Sequence, residues 1–352
     1  MKIFYRYATI VALIFRILYA IQMRCFMSGY TPLIKGKSSI SVLESVTLGD
    51  LKQWILIRGE DISSPIVLCL HGGPGNAQIG WAPNFQSKLE KNFIVVNWDQ
   101  RGAGLSYYDD LNKESMNIKQ FIHDAYDLSK YLVQRFNKRK IFIVGHSWGT
   151  IIGMSLIQKY PELFHAYIGV GQSVHLQRGE SLSYDFTLEQ AKTNNIDEAI
   201  QELTEIGKPP YKDMIKGLST QRKWLNYFGG VVANDRDFFS KLGDLIQERP
   251  EYNENDLKRL QEGNSFSLKT MWAEVLEVNL LKQIKDVKVP VYFLMGEFDY
   301  NTPNQLVKEF YKSLKAPYKE MVYFNGLSHN IPFEDPDLFH HTLYNISLQY
   351  NE

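Results

Sequence analysis

The 352-residue sequence predicts an α/β fold, a mostly parallel sheet wound by helices on both faces. Three observations predict it. Short β-branched or aromatic runs alternate with amphipathic stretches over most of the chain. One apolar run, Ile141-Phe142-Ile143-Val144, passes through Gly145-His146-Ser147-Trp148-Gly149 into a stretch of helical spacing, Ile151, Ile152, Met154, Leu156 and Ile157. Between residues 175 and 288 the alternation stops and helix formers take over, which is the pattern of a helical insertion.

The elements follow in order. Ile40 to Thr47 and Gln53 to Arg58 read as a hairpin turning at Gly49-Asp50. Ile66 to Leu70 is a buried strand ending in His71-Gly72-Gly73-Pro74-Gly75, and helical character continues to about Lys91. Phe93 to Asn97 is the next strand. It leads into Trp98-Asp99-Gln100-Arg101-Gly102-Ala103-Gly104-Leu105-Ser106. Apolar residues at Ile118, Phe121, Ile122, Ala125, Leu128, Tyr131 and Leu132 give residues 118–136 a helix period. Tyr167 to Val170, Val291 to Met295 and Lys319 to Phe324 complete the strands. Thr302-Pro303 fits an N-cap and first helical position for a helix reaching Leu314, and Pro336 opens a C-terminal helix. In the insertion, helices are expected over Leu188 to Ile206, Tyr211 to Phe228 and Asn255 to Leu281. The chain thus divides into an N-terminal segment (1–30), a core (31–174 and 289–352) and a helical cap (175–288). A cap there covers the carboxyl ends of the strands, where open α/β sheets bind ligands.

Lys plus Arg and Asp plus Glu are both 39, so the formal charge is zero and the basic footprint of a nucleic-acid binder is missing. The two cysteines, Cys25 and Cys69, provide neither a metal spacing nor a disulfide framework. Lys2 and Arg6 precede an apolar stretch at residues 8–23. It is short for a spanning helix and carries Arg16, which costs about 3 kcal/mol near a bilayer centre. No small-x-small cleavage site follows it. Membrane association through residues 8–23 is one expectation. A peripheral N-terminal helix on a cytoplasmic protein is the other.

Strand, G-x-S-x-G and helix together make the context of a nucleophile elbow, with Ser147 at the tip of a sharp, strained turn. Gly145 and Gly149 flank it, since a Cβ at either would collide where strand and helix nearly touch. A serine hydroxyl needs a base, and that base needs a carboxylate to hold its tautomer. In this strand–turn–helix context the chain order is serine, acid, histidine. Only His329, His340 and His341 come late enough. His340 and His341 fall within the terminal helix, whereas His329 follows the last strand in a loop, so His329 is the candidate base. Gly296-Glu297-Phe298-Asp299 follows the preceding strand. Asp299 is the candidate acid, being further out on the loop, with Glu297 as the alternative. The backbone N–H of Trp148 and that of Gly73 are the candidate oxyanion donors, each worth about 3 kcal/mol in such sites. His71 reads as a brace for its loop, and Asp99, Gln100 and Arg101 as part of a buried ionic network.

The motifs His71-Gly72-Gly73-Pro74-Gly75, Asp99 to Ser106 and Gly145-His146-Ser147-Trp148-Gly149 resemble the prolyl aminopeptidase (proline iminopeptidase) branch of the α/β-hydrolases, over roughly Ile40 to the C-terminus. The resemblance implies an α/β-hydrolase fold with a helical cap, a Ser147-Asp299-His329 triad and no cofactor or metal. It implies a short peptide as substrate. His146 stands where those peptidases usually carry glycine. Their cap has a tryptophan–glutamate segment whose acid helps hold the substrate amine. The partial match Trp272-Ala273-Glu274 makes Glu274 the first candidate for that role, with Glu277 beside it. Two functions compete: an aminopeptidase releasing N-terminal residues, and a carboxylesterase or related acyl hydrolase acting on small esters or amides. Epoxide hydrolase and dehalogenase chemistry is disfavoured, because those enzymes use aspartate where Ser147 stands.

Overall fold

The computed structural model describes residues 29–350. The apolar stretch at residues 8–23 lies outside them. Among the described residues no helix is long and apolar enough to cross a membrane.

Eight strands form one sheet: β1 (Ile40–Leu48), β2 (Leu51–Gly59), β3 (Ile66–Leu70), β4 (Ile94–Asp99), β5 (Ile141–His146), β6 (Phe164–Val170), β7 (Val291–Gly296) and β8 (Lys319–Phe324). Their order is β1-β2-β4-β3-β5-β6-β7-β8. β2 runs against both neighbours, and every pairing from β4 to β8 is parallel. The β1–β2 turn has Gly49 at φ 50° and Asp50 at φ 64°. Two consecutive left-handed residues match the twist of a two-residue hairpin, and aspartate is among the few side chains that tolerate the conformation.

The strands β3, β4 and β7 are buried throughout. Such strands need helices on both faces. On one face Ile66, Leu68 and Ile143 pack with Phe121 and Leu128 of α1 (Ile118–Arg135) and Ile152 of α2 (Trp148–Lys159). On the other face Val67, Phe142 and Leu294 meet Phe339 and Leu343, which belong to the C-terminal helix Pro336–Ser347. This is the predicted doubly covered sheet, reached from the alternation of apolar runs alone.

Between β6 and β7 the chain forms α3 (Leu176–Thr193), α4 (Asp197–Ile206), α5 (Met214–Tyr227), α6 (Phe238–Glu248) and α7 (Glu254–Leu276). Several expectations are corrected here. The stretch Leu188 to Ile206 is not one helix, because Asn195 adopts φ 53° and separates α3 from α4. α6 has no counterpart among the expected helices. α7 stops at Leu276, and a short turn, Leu280–Gln283, follows separately. The helical stretch before Lys91 is reduced to Pro83–Gln86 and a three-residue turn, Leu89–Lys91. Beyond β7, α8 spans Asn304–Ser313 and α9 is Pro336–Ser347. Pro303, not Thr302, occupies the N-cap position of α8. The hydroxyl of Thr302 is engaged with the acid of the site instead.

Candidate active site

The turn between β5 and α2 is as tight as its glycines require. Ser147 sits at φ 53°, ψ −118°, in a region that side chains rarely occupy and that stores strain. Its N–H is held by the carbonyl of Val170 at 3.0 Å. A Cβ on Gly145 would lie 2.8 Å from the carbonyl oxygen of Gly149, and one on Gly149 would run into the carbonyl of Leu70. Both glycines are therefore steric necessities of this crossing.

His329 lies in the loop after β8. Its Nδ1–H donates to Asp299 Oδ2 at 2.9 Å. Asp299 is fixed in turn by Thr302, whose N–H reaches Oδ1 and whose hydroxyl reaches Oδ2, each at 2.8 Å. The Thr302 oxygen is also 3.2 Å from His329 Nδ1. Since the carboxylate takes the Nδ1 proton, Nε2 carries the lone pair, and the amide of Asn301 donates to it at 3.0 Å. Among the described residues the donor on Nε2 is Asn301 and not Ser147. Glu297, the alternative acid, is exposed and accepts from the Gly326 N–H at 2.8 Å.

Three further residues hold His329, and motif reading singled out His146 alone, without this role. Gly171, at φ 56°, leaves room for the ring, since a Cβ there would approach Nδ1 and Cε1 to 2.6 Å. Glu334 accepts from the N–H groups of Ser328 and Asn330 at 3.1 and 3.0 Å and from Ala233 at 2.7 Å. Burial raises its pKa above the ordinary glutamate value, against the pull of those N–H donors. His146 Nε2–H donates to the His329 carbonyl at 3.1 Å, and the two rings lie 4.9 Å apart. Burial, with the neighbouring His329 ring adding to it, pushes the His146 pKa down to about 3, so this ring is neutral. The one sequence signal for these supports is a glycine directly after β6.

The loop after β3 runs beside Ser147. A Cβ on Gly72 would be 3.2 Å from Ser147 Cβ. Gly73 adopts φ 122°, and both Gly73 and Trp148 border the cavity that holds Ser147. The Trp148 indole donates to Gln100 Oε1 at 2.9 Å. His71 is buried and braces the loop, with Nδ1–H on the Gly72 carbonyl at 2.7 Å and Nε2 accepting from Gln100 N–H at 3.1 Å. Burial lowers its pKa to about 4. Arg101 pairs with buried Asp124 at 2.8 Å. Asp99 accepts from Tyr252 at 2.6 Å and from Leu105 N–H at 2.9 Å. Burial still pushes its pKa up to about 7. The three residues expected to form one ionic network are thus divided: Arg101 pairs with Asp124, which the sequence did not single out, while Asp99 and Gln100 bond Tyr252, Trp148 and the His71 loop.

Ser147 and His329 open on a cavity of ≈570 Å³. Its far wall comes from the insertion, one helical stripe at a time. Leu176 and Glu180 face it from α3, Leu218, Arg222 and Asn226 from α5, and Leu268, Trp272 and Val275 from α7. Within each set the spacing is three or four residues, so each presents one helix face. The role expected of Glu274 is corrected by this geometry. Residues two apart in sequence lie about 200° apart around a helix, so with Trp272 inward, Glu274 points away. Glu274 is exposed, and its carboxylate accepts from the Ile118 N–H at 3.0 Å, at the start of α1. Glu277 is also exposed and bonds Gln177.

The acid that does reach the cavity is Glu180, 4% exposed. One of its oxygens, Oε1, accepts from Arg222. Its other oxygen, Oε2, is buried without a hydrogen-bond partner among the described residues, as is Oδ1 of Asn226 on the same cavity wall. Buried acceptors are almost always satisfied, so these two are exceptions, and the Tyr211 hydroxyl, near enough to Glu180 to feel its charge, is a third unpaired group in the same region.

Comparison with known proteins agrees with this architecture. A family model described as the alpha/beta hydrolase fold matches residues 65–202. A protein named probable aminopeptidase YbaC, from Bacillus subtilis, is 34% identical over 312 residues, spanning 88% of this chain and 98% of that protein. A proline iminopeptidase of Heyndrickxia coagulans is 22% identical over 278 residues, covering 77% of this chain and 86% of its own. The crystal structure of a proline iminopeptidase from Mycobacterium smegmatis superposes with a TM-score of 0.60 at 16% identity, covering 88% of this chain and 98% of that one.

Proposed function

Because the chain belongs to the prolyl aminopeptidase branch of the alpha/beta hydrolases and is a hydrolase by that membership, we propose that it is a serine aminopeptidase acting on short peptides. Ser147 is the nucleophile, His329 the base and Asp299 the orienting acid. His329 Nε2 takes the Ser147 proton as Oγ attacks the carbonyl carbon of the first peptide bond. The developing oxyanion is received by the N–H groups of Gly73 and Trp148. His329 returns the proton to the leaving amine, and a water hydrolyses the acyl-enzyme by the same relay. For this, Asn301 must release Nε2. The insertion acts as a cap that selects the substrate.

One observation carries the peptidase reading: Glu180 and Asn226 line the Ser147 cavity, and each has a buried side-chain oxygen without a partner among the described residues. A free α-ammonium supplies several N–H donors to such acceptors. Arg222 donates to one oxygen of Glu180 and leaves the other unpaired, so an entering ammonium that reaches it must displace little besides side-chain packing. Glu180 thus takes the amine-binding role first expected of Glu274. The test compares aminoacyl β-naphthylamides with their N-acetyl counterparts. Strong preference for the free amine supports the reading, and equal turnover excludes amine recognition.

The esterase alternative draws on the apolar side chains in the same wall, Ile151, Leu176, Leu218, Leu268 and Val275. It needs no amine contact. Turnover of p-nitrophenyl esters with none of any peptide derivative would select it.

A further inference from the structure

A second chamber, of ≈240 Å³, lies beside the first. The two share Gly72, Asn76, His146, Phe239 and Asn330 as walls. His146 directly precedes Ser147 in the chain, and a Cβ on Gly72 would lie 3.2 Å from Ser147 Cβ, so the chamber begins next to Ser147, which itself lines the first cavity. The chamber's apolar lining comes from Trp81 in the loop after β3, Phe238, Leu242 and Ile246 on one face of α6, and Leu260 from α7. Five amide side chains also line it; Gln78 bonds Asn97 and Asn330 bonds the Val231 carbonyl, which leaves Asn76, Gln261 and Asn264. Among the described residues no aspartate, glutamate, lysine or arginine lines it.

With Glu180 and Asn226 holding the N-terminal amine, as the aminopeptidase reading has it, the first residue fills the larger cavity. The chain beyond the scissile bond then needs its own exit, and the second chamber is the space adjoining Ser147 that remains. We propose that the second chamber is the leaving-group subsite, taking an apolar second residue, with the amides of Asn76, Gln261 and Asn264 meeting the uncharged peptide backbone that continues from it. The chemistry sets the substrate class. A free carboxylate directly after the second residue would enter a chamber with no cation to pair with it, and burying an unpaired charge is unfavourable. Amide side chains offer both a donor and an acceptor, as a peptide unit does. The enzyme should therefore prefer tripeptides, longer peptides and dipeptide amides over free dipeptides, and leucine over glycine in second place.

The experiment fixes the N-terminal residue as the one turned over fastest as a β-naphthylamide. It compares kcat/KM for the Xaa-Leu dipeptide, Xaa-Leu-amide and Xaa-Gly-amide. The subsite predicts at least a tenfold preference for Xaa-Leu-amide over each of the others. Gln261→Lys, an exposed position on α7 that lines the chamber, places an ammonium there and should narrow the amide-to-dipeptide ratio at least fivefold. Equal kcat/KM for Xaa-Leu and Xaa-Leu-amide, or a ratio unmoved by Gln261→Lys, would overturn the subsite alone. Inertness toward every peptide and naphthylamide would overturn the aminopeptidase reading and the subsite with it.

Discussion

The Asn301 side-chain amide donates to His329 Nε2 at 3.0 Å, and so occupies the lone pair that a catalytic base would use on Ser147. Asn301 also lines the cavity, within reach of an entering substrate. Removing the amide frees Nε2 for Ser147. Asn301→Ala should therefore speed covalent labelling of Ser147 by a fluorophosphonate severalfold in the absence of substrate. Slower labelling would instead make Asn301 a support for the base.

Asp299 and Glu297 separate cleanly. Asp299 is buried, bonded to His329 and held by Thr302, whereas Glu297 is exposed and bonds a loop N–H. Asp299→Asn should lower kcat by about 10⁴, because an amide favours the wrong imidazole tautomer. Glu297→Gln should cost less than tenfold. Steady-state kinetics of the two variants check the ranking, and the reverse order would move the acid to Glu297.

Glu180→Gln keeps an oxygen for Arg222 and removes the charge that would meet an ammonium. The ratio of kcat/KM for an aminoacyl naphthylamide to that for p-nitrophenyl acetate should fall by at least thirtyfold, about 2 kcal/mol of lost recognition. Glu274→Gln should leave that ratio within a factor of two, since its carboxylate serves the Ile118 N–H at the start of α1. A larger effect at Glu274 than at Glu180 would return amine binding to the position the tryptophan motif suggests.

His146 makes stability depend on pH. Its folded pKa, about 3, lies below the ordinary 6.5 because the ring is buried and faces His329. Between those values the unfolded chain binds a proton that the folded one refuses. The contribution is thus fully present above pH 6.5 and is lost as pH falls toward 3, at up to about 1.4 kcal/mol per pH unit. Asp99, raised to about 7 by burial, acts in the opposite sense. Its folded form holds a proton that the unfolded form releases, so its contribution is present below the ordinary carboxyl range and lost as pH rises through 7. Comparing wild type with His146→Asn isolates the histidine. The difference in urea-unfolding free energy should change by about 1 kcal/mol per unit between about pH 6 and 4. A constant difference would mean that His146 titrates normally.

What the sequence made legible was local. The elbow needs a strand, a turn and a helix in one short run, which marks Ser147, and chain order leaves His329 by elimination among the histidines, while Asp299 was preferred to Glu297 only by its place on the loop. The β1–β2 turn was legible because Gly49-Asp50 has few alternatives between two strand-like runs. Residues brought in from afar were not. Glu180 on α3 and Asn226 on α5 meet the Ser147 cavity only through the packing of the insertion. Glu274 misled because a motif gives proximity in sequence, while the helix period sends Trp272 inward and Glu274 out. Some misses had a signal. Asn194-Asn195 marks the break between α3 and α4, and Phe238, Leu242 and Ile246 carry the period of α6. The role of Thr302 was hidden because an N-cap and a carboxylate-holding hydroxyl look identical in sequence.

The central claim is that Ser147 is the nucleophile of an aminopeptidase. Its most direct test is peptide-mapping mass spectrometry after stepwise fluorophosphonate labelling, with aminoacyl naphthylamide turnover followed in the same samples. The account predicts a single adduct on Ser147 and a loss of turnover proportional to its occupancy. An adduct on another residue, or full turnover with Ser147 completely labelled, would contradict it.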